Sequence, residues 1–158
     1  MYQVGDKIVH PMHGAGVIEN IVSQKAGGAL MQYYVMKMPV VGMLVMIPTH
    51  NAQSIGVREV VDSTTAEDLI CSLAALETDT VTNWNKRYRE NMLRIKSGEL
   101  FEVARVVKSL TARDKQRGLS TGERKMLHSA KQILISEIVL AQSAEYADVE
   151  RRINKELA

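Results

Sequence analysis

Near residue 62 the spacing of apolar residues changes period, and this constrains the fold more than any other feature of the chain. Before that point, runs rich in Val, Ile, Tyr and Met ("DKIV", "AGVIENIV", "MQYYVMKM", "MLVMIP") alternate with the turn-forming stretches "HPMHG", "KAGG" and "PVVG". Successive strand residues point to opposite faces, so Tyr34, Met36 and Met38 share one face and Tyr33, Val35 and Lys37 the other. Several short strands packed into residues 1–60 fit a small, strongly bent barrel of the SH3 or Tudor kind, a shape used for binding.

Beyond residue 62 the apolar positions recur at helical spacing. In "DSTTAEDLICSLAAL", Thr64 stands three residues before Glu67, the spacing of a capping box, and Leu69, Leu73 and Leu76 follow on one face. "SGELFEVARVVKSL" aligns Leu100, Val103, Ala104, Val107 and Leu110. A second capping box, Ser120 with Glu123, opens a long helix with Met126, Leu127, Ala130, Ile133, Leu134, Ile138 and Ala141 on one side. Gly98 and Gly118 mark helix ends, and Val149, Ile153 and Leu157 define a short terminal helix. The predicted class is therefore α+β, with a barrel over 1–60 and a compact bundle of four or five helices over 61–158.

Composition narrows the setting. The chain has 158 residues, 46% of them hydrophobic and 24% charged, as expected of a globular protein with one large or two small domains. No apolar run reaches the length of a membrane span, and "MYQVGDKIVH" lacks the apolar stretch of a signal peptide. Cys71, the single cysteine, has no partner for an internal disulfide. A cytoplasmic location is the expectation. The net charge of +2 is unevenly spread: Trp84 to Lys131 carries 13 Lys/Arg against five acids, an excess of +8. Such a concentration marks either a polyanion-facing surface or a set of solvated helix faces.

"TNWNKRYREN" sharpens that choice, because it sets the only tryptophan beside Lys86, Arg87 and Arg89 at the start of a helix capped by Thr82 or Asn83. Trp84, Tyr88, Met92 and Ile95 form an apolar stripe, which reads as core. The first turn of a helix, however, frays into solvent and offers N–H groups and a partial positive charge to a phosphate. Both readings of Trp84 stay open on the pattern alone. Catalytic and metal sites find little support. His10 and His13 fall in a turn without matching cysteines or a carboxylate cluster, His50 stands elsewhere in the barrel half, and His128 has no visible triad partner. "HGAG" and "KAGG" lack the lysine of a phosphate-binding loop. Most of the nine methionines are expected to fill the core, with Met36, Met38, Met43 and Met46 the candidates for a binding surface.

Three segments in order, "VGDKIVHPMHGAGVIE", "TNWNKRYREN" and "RDKQRGLSTGERKML", resemble the CarD/CdnL family of bacterial transcription regulators, and the similarity runs along almost the whole chain. The resemblance implies a non-enzymatic initiation factor with a Tudor-like barrel followed by a helical bundle, needing no cofactor, metal, membrane or small-molecule substrate. It implies that the barrel pairs through its strand edges with the RNA polymerase β subunit, and that the helical part reaches promoter DNA near the −10 element. There Trp84 would act as a minor-groove wedge at the upstream fork of the melted bubble, lengthening the life of the open complex. On that reading Trp84 is displayed and Tyr88 packs beneath it, while Lys86, Arg87, Arg89, Arg124 and Lys125 contact phosphates without reading bases. For the polymerase-binding strands the resemblance points to Gln24, Lys25, Met46 and Pro48. Gln24 and Met46 stand where some family members carry arginine, so Lys25 would supply part of the charge and Met46, beside Ile47 and Pro48, an apolar contact. Two other readings compete: a protein-interaction adaptor with Trp84 in its core, and a metal-dependent enzyme using the barrel histidines.

Overall fold

The computed structural model describes residues 1–78 and 83–158. Five antiparallel strands, β1 (Lys7–His10), β2 (Gly14–Ala26), β3 (Ala29–Met38), β4 (Met43–Pro48) and β5 (Arg58–Glu59), form one sheet in the order β4-β3-β2-β1-β5. β2 runs four residues past the predicted "AGVIENIV", because Gly27 and Gly28 close a two-residue hairpin that keeps Ala26 opposite Ala29. Both glycines have positive φ (60° and 83°), which a primed hairpin turn requires. A register shift between Ile18 and Asn20 bends β2. Tyr34, Met36 and Met38 point inward as the alternation predicts, joining Ile8, Ile18, Ile47, Ala52 and Val57 in a small core. The short helix α1 (Ala52–Ile55) contributes Ala52.

Five further helices follow: α2 (Ser63–Ser72), α3 (Trp84–Lys96), α4 (Leu100–Arg117), α5 (Thr121–Gln142) and α6 (Tyr146–Leu157). All five predicted positions of α4, Leu100, Val103, Ala104, Val107 and Leu110, are buried. Gly118 ends that helix with φ 76°. The Ser120 cap forms, its hydroxyl accepting the N–H of Glu123 at 3.2 Å. The Thr64–Glu67 box does not. Asp62 caps α2 by accepting the N–H of Thr65 at 2.7 Å, and the Glu67 carboxylate pairs with Arg152 of α6 instead. An aspartate is at least as good a cap as threonine, and capping two residues earlier leaves Glu67 free to reach another helix.

α5 holds the two halves together. With 22 residues it is about 33 Å long. Its apolar stripe faces α4, as expected, but Ile135, Ser136 and Glu137 are buried as well, because a second face of the helix lies against β2. Gly14 makes that approach close: a Cβ there would sit 2.7 Å from Ser136 Oγ and 3.4 Å from Ile133 Cα. Ser136 Oγ accepts the N–H of Ala15 at 2.9 Å and donates to the carbonyl of Ile133 at 2.7 Å. Among the described residues, no helix is long and apolar enough to cross a membrane.

Candidate nucleic-acid interface

Asn83 caps α3, its side-chain oxygen accepting the N–H of Lys86 at 3.0 Å. Thr82, the other candidate cap, lies outside the described residues. The buried stripe of α3 is Arg87, Asn91 and Ile95 rather than the apolar series Trp84, Tyr88, Met92. Trp84 is 42% exposed. Its ring stacks on Tyr88 with centroids 5.0 Å apart and planes 18° apart, and both rings lie over the first turn of α5 at Gly122. The indole N–H donates to Ser120 Oγ at 3.0 Å. The tryptophan is thus displayed yet held, with Tyr88 half-buried beneath it.

Arg87 departs from its expected role. The sequence sets it with the exposed cations, but it is 4% exposed, and its Nε donates to Glu123 Oε2 at 2.9 Å. Its position four residues before Asn91 and eight before Ile95 turns it into the bundle, where Glu123 at the start of α5 receives it. Burial pushes the Glu123 carboxyl up, but the hydrogen bonds and charge of Arg87, with the Ser120 hydroxyl, outweigh this and leave it below its ordinary value. Arg87 therefore serves as the anchor between α3 and α5, out of reach of a phosphate. Lys86 and Arg89, within the first two turns of α3, and Arg124 and Lys125, near the start of α5, are exposed, and the N-termini of the two helices lie side by side. Helix N-termini add partial positive charge to such a cluster.

A second surface is set by strand register. Val35 pairs with Met46, Tyr33 with Pro48, Val22 with Tyr33 and Gln24 with Met31. Cross-strand partners share a face, so Gln24, Met46 and Pro48 lie together on the side opposite the core, with Tyr33, Val35 and Leu44. Lys25, paired with Leu30, falls on the other side and does not join them. Leu44 and Met46 are 59% and 43% exposed, and β4 is the end strand of the sheet. Of the four methionines singled out, Met36 and Met38 fill the core, whereas Met43 and Met46 are exposed on this strand.

Sequence reasoning missed the joint between these surfaces. Arg58 donates from its two terminal nitrogens to the Glu137 carboxylate at 2.6 and 2.7 Å, and from Nε to the carbonyl of Gly98 at 2.8 Å. Glu137 also accepts the N–H of Val61 at 3.0 Å. Burial alone would lower the Arg58 value, but Glu137 more than reverses this and raises it. The available signal was "ILISEIVLA", where a serine and a glutamate interrupt an otherwise apolar run. The histidines behave as turn residues: His13 N–H donates to the carbonyl of His10, whose Nδ1 accepts the N–H of Met12. Among the described residues, no group of three potential ligands could hold a metal ion.

A small sheet with an exposed apolar face is thus joined by the Arg58–Glu137 ion pair to a helical body that displays an aromatic ring at the end of a basic helix. Comparison with known proteins supplies the family. Residues 2–61 match the model of the CarD-like/TRCF RID domain and residues 68–154 that of the CarD C-terminal domain. The chain is 41% identical over 138 residues, 87% of its own length and 90% of the other's, to the "Putative transcription factor YdeB" of Bacillus subtilis. The protein belongs to the CarD family, with its Tudor-like sheet and helical C-terminal part.

Proposed function

We propose that this protein is a cytoplasmic regulator of transcription initiation that grips RNA polymerase with one surface and promoter DNA with the other. The outer face and free edge of β4, with Met46, Pro48 and Gln24, dock on the β subunit by strand pairing. Lys25, on the opposite face at the hairpin end, is left to the periphery of that contact. Lys86, Arg89, Arg124 and Lys125 contact phosphates at the upstream edge of the melted −10 region, and Trp84 enters the minor groove there as a wedge. The observation that carries this reading is an indole 42% exposed, braced by a stacked ring and a hydrogen bond, at the start of a helix that also carries exposed Lys86 and Arg89.

The energetics are consistent with the role. Unstacking a base step costs a few kcal/mol, but an indole meeting a fork that polymerase is already opening need not bear all of it. Stacking of an aromatic side chain on a base is worth about 1–3 kcal/mol, which corresponds to a change of roughly 5- to 150-fold in the lifetime of the open complex. Weak DNA affinity suffices because attachment to polymerase raises the local concentration of the helical part.

The test is open-complex lifetime on a promoter with an unstable bubble, measured without factor, with the protein, and with Trp84→Ala. Loss of most of the added lifetime in a Trp84→Ala protein that still binds polymerase supports the wedge. A wild type that binds polymerase but leaves the lifetime unchanged points instead to an adaptor without DNA contact. With four phosphate contacts, the logarithm of DNA affinity should fall against that of salt concentration with a slope of about −3 to −4, and salt-insensitive binding would remove the electrostatic part of the proposal.

A further inference from the structure

Between the buried ion pair and the displayed tryptophan lies a single hydroxyl, that of Ser120, and every bond it can make is made. A serine hydroxyl has one hydrogen to donate and two lone pairs to accept with. Ser120 Oγ donates to Glu123 Oε1 at 3.3 Å, accepts the N–H of Glu123 at 3.2 Å, and accepts the indole N–H of Trp84 at 3.0 Å. Glu123 is itself held by Arg87, both side chains being almost fully buried. The hydroxyl cannot turn toward solvent without leaving the carboxylate, and its remaining lone pair stays aimed at the indole.

We infer that Ser120 is a positioning residue for Trp84, transmitting the fixed geometry of the Arg87–Glu123 pair to the ring that meets DNA. Stacking on Tyr88 sets the plane of the indole but would let it slide or flip within that plane. The bond to Ser120 removes this freedom by fixing one edge. A ring already held in one orientation loses less conformational freedom on inserting at a fork, so more of its stacking energy reaches the open complex. The functional part of this inference rests on the wedge reading; the positional part does not.

Ser120 also caps α5 through this same hydroxyl, so the variant must lose the hydroxyl at the least cost to the helix end. Glycine does this, being only slightly poorer than serine at an N-cap, and Ser120→Thr serves as the rescue because it restores the hydroxyl. The chain has one tryptophan, so time-resolved fluorescence anisotropy of the free protein reports on this ring alone. Wild type and Ser120→Thr should show slow, whole-molecule depolarisation, and Ser120→Gly an added fast phase on the picosecond–nanosecond scale of side-chain motion. In the open-complex assay Ser120→Gly should shorten the added lifetime roughly 3- to 10-fold, the effect of losing one hydrogen bond, with polymerase binding and thermal unfolding near wild type. Unchanged anisotropy in Ser120→Gly overturns the positional inference. Altered anisotropy with an unchanged lifetime overturns its functional part. If Trp84→Ala itself leaves the lifetime unchanged, the wedge reading fails, and the anisotropy still decides whether Ser120 holds the ring.

Discussion

The two ends of α5 use the same chemical device for opposite purposes. At its start, Glu123 meets Arg87 in a pair from which water is almost wholly excluded, and the result is an exposed ring held still. Fourteen residues later, close to four turns and about 21 Å along the axis, Glu137 meets Arg58 and ties the helix to the sheet. Arg58 keeps 27% of its side-chain surface exposed, against 4% for Arg87. One pair organises a surface and the other joins two bodies. A buried ion pair is weak evidence for net stability, since both charges lose their water. Its usefulness here is directional: a bidentate arginine–carboxylate contact admits few geometries.

That contrast can be broken experimentally. The largest effect is expected from Glu123→Ala, which removes the carboxylate from a buried ion pair and should cost about 3–5 kcal/mol in urea unfolding. It should also free the indole, so Trp84 fluorescence changes before global unfolding. Glu137→Ala should cost somewhat less, about 3 kcal/mol, because the partly exposed Arg58 can recover some hydration. Its signature is different: Trp84 emission should stay as in the wild type, while amide exchange at Ala15 and Val61, whose N–H groups face Ser136 and Glu137, should quicken. Should the two variants disturb the same probes, α5 does not separate the two roles.

Gly14→Ala tests the joint from the sheet side. A side chain at φ 106° is strained, and its Cβ would press on Ser136 Oγ, so a loss of about 2 kcal/mol is expected, with Trp84 again unaffected.

The smallest effect concerns Glu67, whose carboxyl is held at about 2 by hydrogen bonds from Arg152 and then Gln142. A folded-state value below the unfolded one means that stability from this contact is present above the ordinary carboxylate range and lost as pH falls toward 2. Glu67→Gln should therefore be slightly less stable than wild type at pH 6 and equal to it near pH 2. The pair is exposed, so the gap should be small. A gap that persists at pH 2 would show that the Arg152–Glu67 charge pair is not its source.

Much of this fold was legible because it rests on period. Strand alternation sorted Tyr34, Met36 and Met38 from their neighbours, and helical spacing found five of the six buried residues of α4, missing Val106. The site was legible in part. Trp84 and its basic neighbours stand out in the sequence as a candidate site, but the same spacing made Trp84 look like core and left Arg87 among the surface charges. A hydrophobic pattern ranks side chains by their preference for water, and arginine ranks as a surface residue until a partner is known. Only packing supplied Glu123, thirty-six residues away.

The sequence by itself determined where strands give way to helices, most of the apolar residues that line each core and where two helices begin. Those are local properties, set by side-chain chemistry and chain geometry within a few turns. Tertiary structure alone decided that α5 is covered on two faces, that Lys25 lies away from Gln24, and that Trp84 stands exposed on a brace running back through Ser120 and Glu123 to Arg87. These depend on contacts between residues distant in the chain, whose geometry no local period encodes.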